Sequence, residues 1–194
     1  MFRRFTLSLA ASAFLLVGCS DSDPAETETP VAPSPSESSS SPAPSIPAYL
    51  AKLEPGERAA YRDALRDYER FAERQAELYE AGEATADAKA FYERATADWQ
   101  SYWAKLQNVS QQGYRTEGRG ETLRTGPAAI RLDDEGGGQV DLRVCSVARG
   151  VQVQQNGTPV PQPSPKPTLV TVRMVQLPGE ATWRVLFEKV GSRC

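Results

Sequence analysis

The chain has 194 residues, with 22 Lys and Arg against 25 Asp and Glu, no histidine and a net charge of −3 near neutral pH. A mildly acidic chain without a Lys/Arg-rich tail argues against a nucleic-acid partner. The missing histidine removes His-centred acid–base pairs and His-ligated metal sites.

Met1 to Arg4 is a short basic start, and Phe5 to Gly18 is an apolar stretch broken by Thr6, Ser8 and Ser12. It is shorter than the roughly 20 residues a bilayer-spanning helix needs, and a polar segment follows, so residues 1–18 are expected to be a removable signal peptide. The stretch closes on Leu16-Val17-Gly18-Cys19, which resembles the bacterial lipobox. The resemblance implies cleavage between Gly18 and Cys19, a diacylglyceryl group on the Cys19 thiol, and a domain anchored on the outer face of the cell membrane. Two acyl chains suffice for stable anchoring, at about 0.8 kcal/mol per buried methylene.

Cys145 and Cys194 are then the remaining pair in an exported chain, where a disulfide is the expected state. It would tie the C-terminus into the sheet. Neither cysteine has a histidine to activate it as a nucleophile.

Ser20 to Pro47 holds eleven Ser/Thr and seven Pro in 28 residues. Such a segment buries too little apolar surface to offset its chain entropy, so residues 19–47 are expected to be a lipidated cysteine followed by a disordered tether. Its reach is about 30 Å as a coil and about 90 Å if it stretches into polyproline conformation. Residues 48–194 are long enough for one domain, and helical periodicity gives way to strand periodicity near Gln111, an α+β organisation.

The first helix is expected from Pro55 to Glu80, ending at Gly82, with Tyr61, Leu65, Tyr68, Phe71, Ala72 and Leu78 on one face. Arg58, Arg62, Arg66, Arg70 and Arg74 wind around it among acids, and Asp63–Arg66, Asp67–Arg70, Arg70–Glu73 and Arg74–Glu77 are spaced to pair. A second helix is expected from Thr85 to Leu106. Tyr92, Trp99, Tyr102 and Trp103 share its apolar face, and with Trp183 they are candidate pocket residues, core packing being the plainer role.

Strand signals follow. A loose pair is suggested across residues 113–125 and 128–133, then a turn at Gly136-Gly137-Gly138 and an alternating strand through Val140, Leu142 and Val144 that puts Cys145 on the opposite face. Residues 151–160 read as a hairpin turning at Asn156-Gly157, with Pro159 confining its second arm to an edge. The Pro-rich tract 161–167 is a loop. Thr168–Leu177 and Thr182–Val190 form a last hairpin, with Val170, Val172 and Met174, and Trp183, Val185 and Phe187, facing the helices.

This order of elements, with Asp-Leu-Arg-Val-Cys at 141–145, the Asn156-Gly157 turn, and Trp183-Arg184-Val185 before the terminal Gly191-Ser192-Arg193-Cys194, is similar to exported, lipid-anchored actinobacterial proteins whose domain looks like the NTF2-like (SnoaL-like) superfamily. The resemblance implies a cone, with N-terminal helices packed on a curved, mostly antiparallel sheet. Superfamily members include isomerases and dehydratases using inward carboxylates and tyrosines, beside many non-enzymatic domains. Here Asp98 or Asp141 with Tyr92 or Tyr102 are the available pairs, and parity puts Asp141 on the wrong face. Gly118-Arg119-Gly120 fits no phosphate-loop fingerprint, and Asp133-Asp134-Glu135 lacks alternating ligand spacing. No catalytic residue, metal ligand or cofactor is assigned. The expectation is a membrane-tethered binding or interaction domain, homodimeric or joined to a small molecule or envelope protein, with an isomerase-like enzyme and a passive envelope component as alternatives.

Overall fold

A computed structural model describes residues 48–194. The signal peptide, the Gly18–Cys19 junction and the tether to residue 47 lie outside the described residues.

After a short 3-10 turn at Leu50–Lys52, three helices run α1 Pro55–Ala81, α2 Ala86–Ala95 and α3 Trp99–Gln111. Seven strands follow: β1 Tyr114–Glu117, β2 Glu121–Leu132, β3 Gly138–Val147, β4 Gln152–Gln155, β5 Thr158–Val160, β6 Thr168–Gln176 and β7 Arg184–Arg193.

Helix α1 starts where the backbone N–H of Glu54 donates to Glu57, and it stops at Gly82, whose φ of 66° is the left-handed conformation glycine adopts freely. Three of the four expected charge pairs form on it: Arg66–Asp63, Arg70–Asp67 and Arg74–Glu77. The fourth does not, because Glu73 is drawn across to Arg119 at 3.2 Å, fastening α1 to the segment between β1 and β2.

The expected second helix is two helices. At Thr96 the backbone turns extended (φ −130°, ψ 150°) and forms a parallel bridge with Val185, while the N–H of Ala97 donates to the Val185 carbonyl at 2.8 Å. The β-branched Thr96 is a weak helix former. Its buried hydroxyl donates to the Tyr92 carbonyl, so pairing with β7 outweighs continuing the helix.

The α+β class holds, but the cone does not. The strands form two separate antiparallel sheets, β1-β4-β5 and β2-β3-β6-β7. The larger one is open, with β2 and β7 as its edge strands and only the Thr96 bridge beyond β7, so there is no single curved wall enclosing a cavity. The physical cause is the run from Tyr114 to Leu132, which breaks at Gly118 and Gly120. β1 turns away to pair with β4, and β2 pairs with β3. Gly126 and Pro127 lie inside β2 instead of ending it. Pro127 is accommodated because β2 is an edge strand and the register shifts between Pro127 and Ala129.

The hairpin from β4 to β5 turns at Asn156 (φ 51°) and Gly157 (φ 80°), both positive as the two-residue turn requires, and β5 is the edge of its sheet. Helix α1 lies against β1, β2, β3 and β7. The core between helices and sheet contains Ala64, Phe71, Ala88, Tyr92, Leu106, Val140, Leu142, Val172, Met174 and Val185.

Candidate functional site

Parity along β7 decides where its side chains go. Val185 pairs with Met174 and is fully buried, whereas Phe187 pairs with Arg173; the register shifts by one residue between these pairs. One inserted residue reverses the alternation. Phe187 therefore stands on the outer face of the sheet with the Arg173 guanidinium 4.9 Å from its ring, instead of facing the helices as alternation predicts. Glu188 takes the inward position, paired with Val172.

Glu188 meets a set of tyrosines from all three helices. The Tyr68 hydroxyl of α1 donates to its Oε1 at 3.2 Å, and the Tyr102 hydroxyl of α3 donates to its Oε2 at 3.5 Å. Burial raises the Glu188 carboxyl above its ordinary value, against the opposing pull of the Tyr68 hydroxyl, the Lys105 ammonium and the Tyr102 hydroxyl. The tyrosines shift as well. Burial, then the neighbouring Glu188 charge, pushes Tyr68, Tyr79 and Tyr102 up, and burial with Tyr79 beside it does the same to Tyr92. The Tyr92 hydroxyl is buried without a hydrogen bond of normal geometry; Gln75 lies beside it. Ring packing completes the cluster: Tyr92 stacks on Tyr102 at 5.8 Å and Phe71 meets Tyr102 edge-on at 5.5 Å.

The predicted pocket residues are spread between the core and its margin. Tyr92 and Tyr102 are core residues, Trp99 and Trp103 are partly buried at its margin, and Lys89 sits 4.6 Å over the Trp99 ring. Trp183 lines a cleft of ≈ 530 Å³ together with Asp67, Phe91 and Arg94. Its backbone N–H donates to Asp67 at 2.9 Å, tying the start of β7 to α1. A second cleft, of ≈ 380 Å³, lies between α1 and β2, with Tyr68, Glu69 and Arg119 in its wall. Glu188 lines neither of them.

Cys145 and Cys194 form a disulfide with their Cα atoms 5.9 Å apart. It lies on the outer face of the larger sheet, at the floor of a cleft of ≈ 560 Å³ whose wall includes Tyr49, Arg124, Arg143, Leu169 and Arg193. Directly paired residues of antiparallel strands share a face. The register accordingly places Arg124, Cys145 and Leu169 in one row of this face, and Gly126, Arg143, Thr171 and Lys189 in the next. Ala129, Asp141, Arg173 and Phe187 form a third row, and Arg131, Gln139, Val175 and Arg184 a fourth, in which Arg184 is paired with Glu180.

Asp141, 8% exposed, is held by Arg173 through Nε at 2.7 Å and Nη2 at 2.9 Å. That is a paired structural carboxylate, on the face alternation predicts. Asp133 accepts from the N–H groups of Glu135 and Gly137 and so closes the β2–β3 turn. Among the described residues, no group of three or more His, Cys, Asp or Glu side chains could hold a metal ion, and no helix is long and apolar enough to cross a membrane.

Alternation alone points Glu188 outward, so period-two spacing does not reveal this carboxylate. The one hint was Phe187, an aromatic that a single inserted residue would exchange with its acidic neighbour. No protein-family description matches the chain, and no curated protein matches its sequence. Among solved structures it is similar to the intermembrane-space region of the chloroplast protein ARC6, at 8% identity over 67% of this chain and 97% of that one, with a TM-score of 0.44. A likeness that small carries no functional argument.

Proposed function

We propose that this is a lipid-anchored, extracytoplasmic domain that works by binding and not by catalysis. The observation that carries the reading is the Cys145–Cys194 bond. Disulfides persist in oxidising compartments, and this one accounts for every cysteine except Cys19, the residue that ends the lipobox-like run. The absence of catalysis is supported by the Glu188 cluster. Its two oxygens are taken by tyrosine hydroxyls, and neither adjoining cleft is lined by the carboxylate. The binding surface would be the outer face of the larger sheet.

Labelling cells with an alkynyl palmitate analogue tests the anchor. The chain should carry the label, and Cys19→Ala should lose it and move to the soluble fraction. A labelled Cys19→Ala chain, or an unlabelled wild type, would refute the reading.

One observation favours the enzymatic alternative. A half-buried carboxyl with a raised pKa beside hydroxyl donors is an arrangement used for proton transfer. That reading requires a small molecule in contact with Glu188. Native mass spectrometry of the purified chain would detect one bound to the wild type and absent from Glu188→Gln.

A further inference from the structure

The outer face of the β2-β3-β6-β7 sheet is basic in a chain of net charge −3. Arg124, Arg131, Arg143, Lys189 and Arg193 are all exposed on or beside it. Among the described residues none of the five has an ion-pair partner. The acids of this face are Asp141, occupied by Arg173, and Glu121, which pairs with Val147 one row beyond Arg124 and is met by Arg149 at 3.5 Å. Arg124, Arg143 and Arg193 share one cleft, and no Asp or Glu side chain is in its wall.

Gly126, Ala129 and Thr171 place small side chains among the cations of this face, with Leu169 and Phe187 as large apolar neighbours. At about 3.3 Å per residue and 4.8 Å per strand, the cations spread over roughly 20 Å by 15 Å. An area of that size matches an array of headgroups better than one small anion. Nor is the field balanced as it is on α1, where Arg66, Arg70 and Arg74 each have an acidic partner.

We propose that this face docks on the anionic phospholipid headgroups of the membrane that carries the anchor, with the cleft beside the Cys145–Cys194 bond seating a phosphate. The proposal rests on the extracytoplasmic, tethered reading above. The disulfide has a part in it: Arg193 adjoins Cys194, and the bond to Cys145 fixes Arg193 beside Arg124 and Arg143. Each basic side chain near an anionic surface contributes a factor of about five in affinity.

The test is co-sedimentation of the mature chain from residue 19, carrying Cys19→Ser so that no acyl group contributes, with vesicles of phosphatidylglycerol and phosphatidylcholine in equal parts. Replacing Arg124, Arg143 and Arg193 together by Ala should weaken binding about 100-fold. A control of equal charge loss, Arg62→Ala with Arg94→Ala and Lys166→Ala, all exposed elsewhere, should change it less than threefold. Replacing the three cleft arginines by Lys should retain binding, since headgroup docking depends on charge.

Equal losses in the two alanine triples would overturn the proposal, because net charge alone would then explain binding. Loss in the Lys triple as severe as in the Ala triple, or displacement of the wild type by millimolar glycerol phosphate at matched ionic strength, would also overturn it in favour of a single-anion site. Palmitate labelling of Cys19 reads the anchor separately, so failure of one leaves the other standing.

Discussion

Replacing Glu188 by Gln gives the sharpest energetic test of the buried tyrosine cluster. In the folded chain the Glu188 carboxyl is raised, burial being the largest cause. The native state therefore keeps this proton at pH values where the unfolded chain has released it, near the ordinary glutamate value of about 4.3. Linkage then fixes the sign. The stabilisation is full below the unfolded value and is lost as pH rises through the folded one, with a slope of at most about 1.4 kcal/mol per pH unit for one proton.

The chain offers a quiet background, because it has no histidine and Cys145 and Cys194 are joined. Urea unfolding followed by tryptophan fluorescence between pH 4.5 and 8 should show wild-type stability falling as pH rises, with Glu188→Gln flat over the same range. Glu188→Ala should lose about 2–6 kcal/mol, since the Tyr68 and Tyr102 hydroxyls would each be buried without an acceptor, at about 1–3 kcal/mol each. A wild type as flat as Glu188→Gln, or a Glu188→Ala chain as stable as wild type, would refute the placement of Glu188 among the tyrosines.

Further outcomes follow from single features of the fold. Removing the disulfide as Cys145→Ala with Cys194→Ala should cost up to about 4 kcal/mol from loop entropy over a sequence separation of 49, read as a shift in urea midpoint. Gly113→Ala should be destabilised by about 1–3 kcal/mol. Residue 113 has φ 66°, a Cβ there would fall 1.9 Å from the Asn156 Oδ1, and the Gly113 carbonyl accepts the Asn156 N–H. Asp67→Ala should cost about 1–3 kcal/mol by leaving the Trp183 N–H without its acceptor, visible as faster amide exchange at the start of β7.

Much of the architecture was legible because its signals are local. Gly82 ends α1, Asn156-Gly157 turns the small hairpin, the proline tract stays out of both sheets, and the two distal cysteines meet. The failures share a different cause, long-range pairing. Nothing within residues 85–106 announces that Val185 will capture the backbone at Thr96 and Ala97. Nor does anything near Gly118 show that β1 and β2 join different sheets, and that division removes the cone. The site suffered most, since the inserted residue ahead of Phe187 exchanged an aromatic for an acid on the buried face. Period-two reasoning holds only up to the first bulge.

The most direct test of the central claim is thiol accessibility in intact cells. A membrane-impermeant maleimide should leave Cys145 and Cys194 unlabelled until a reductant is added, and should then label both without lysis. Labelling that requires lysis and no reductant would place the domain in the cytoplasm with free thiols, contradicting the account.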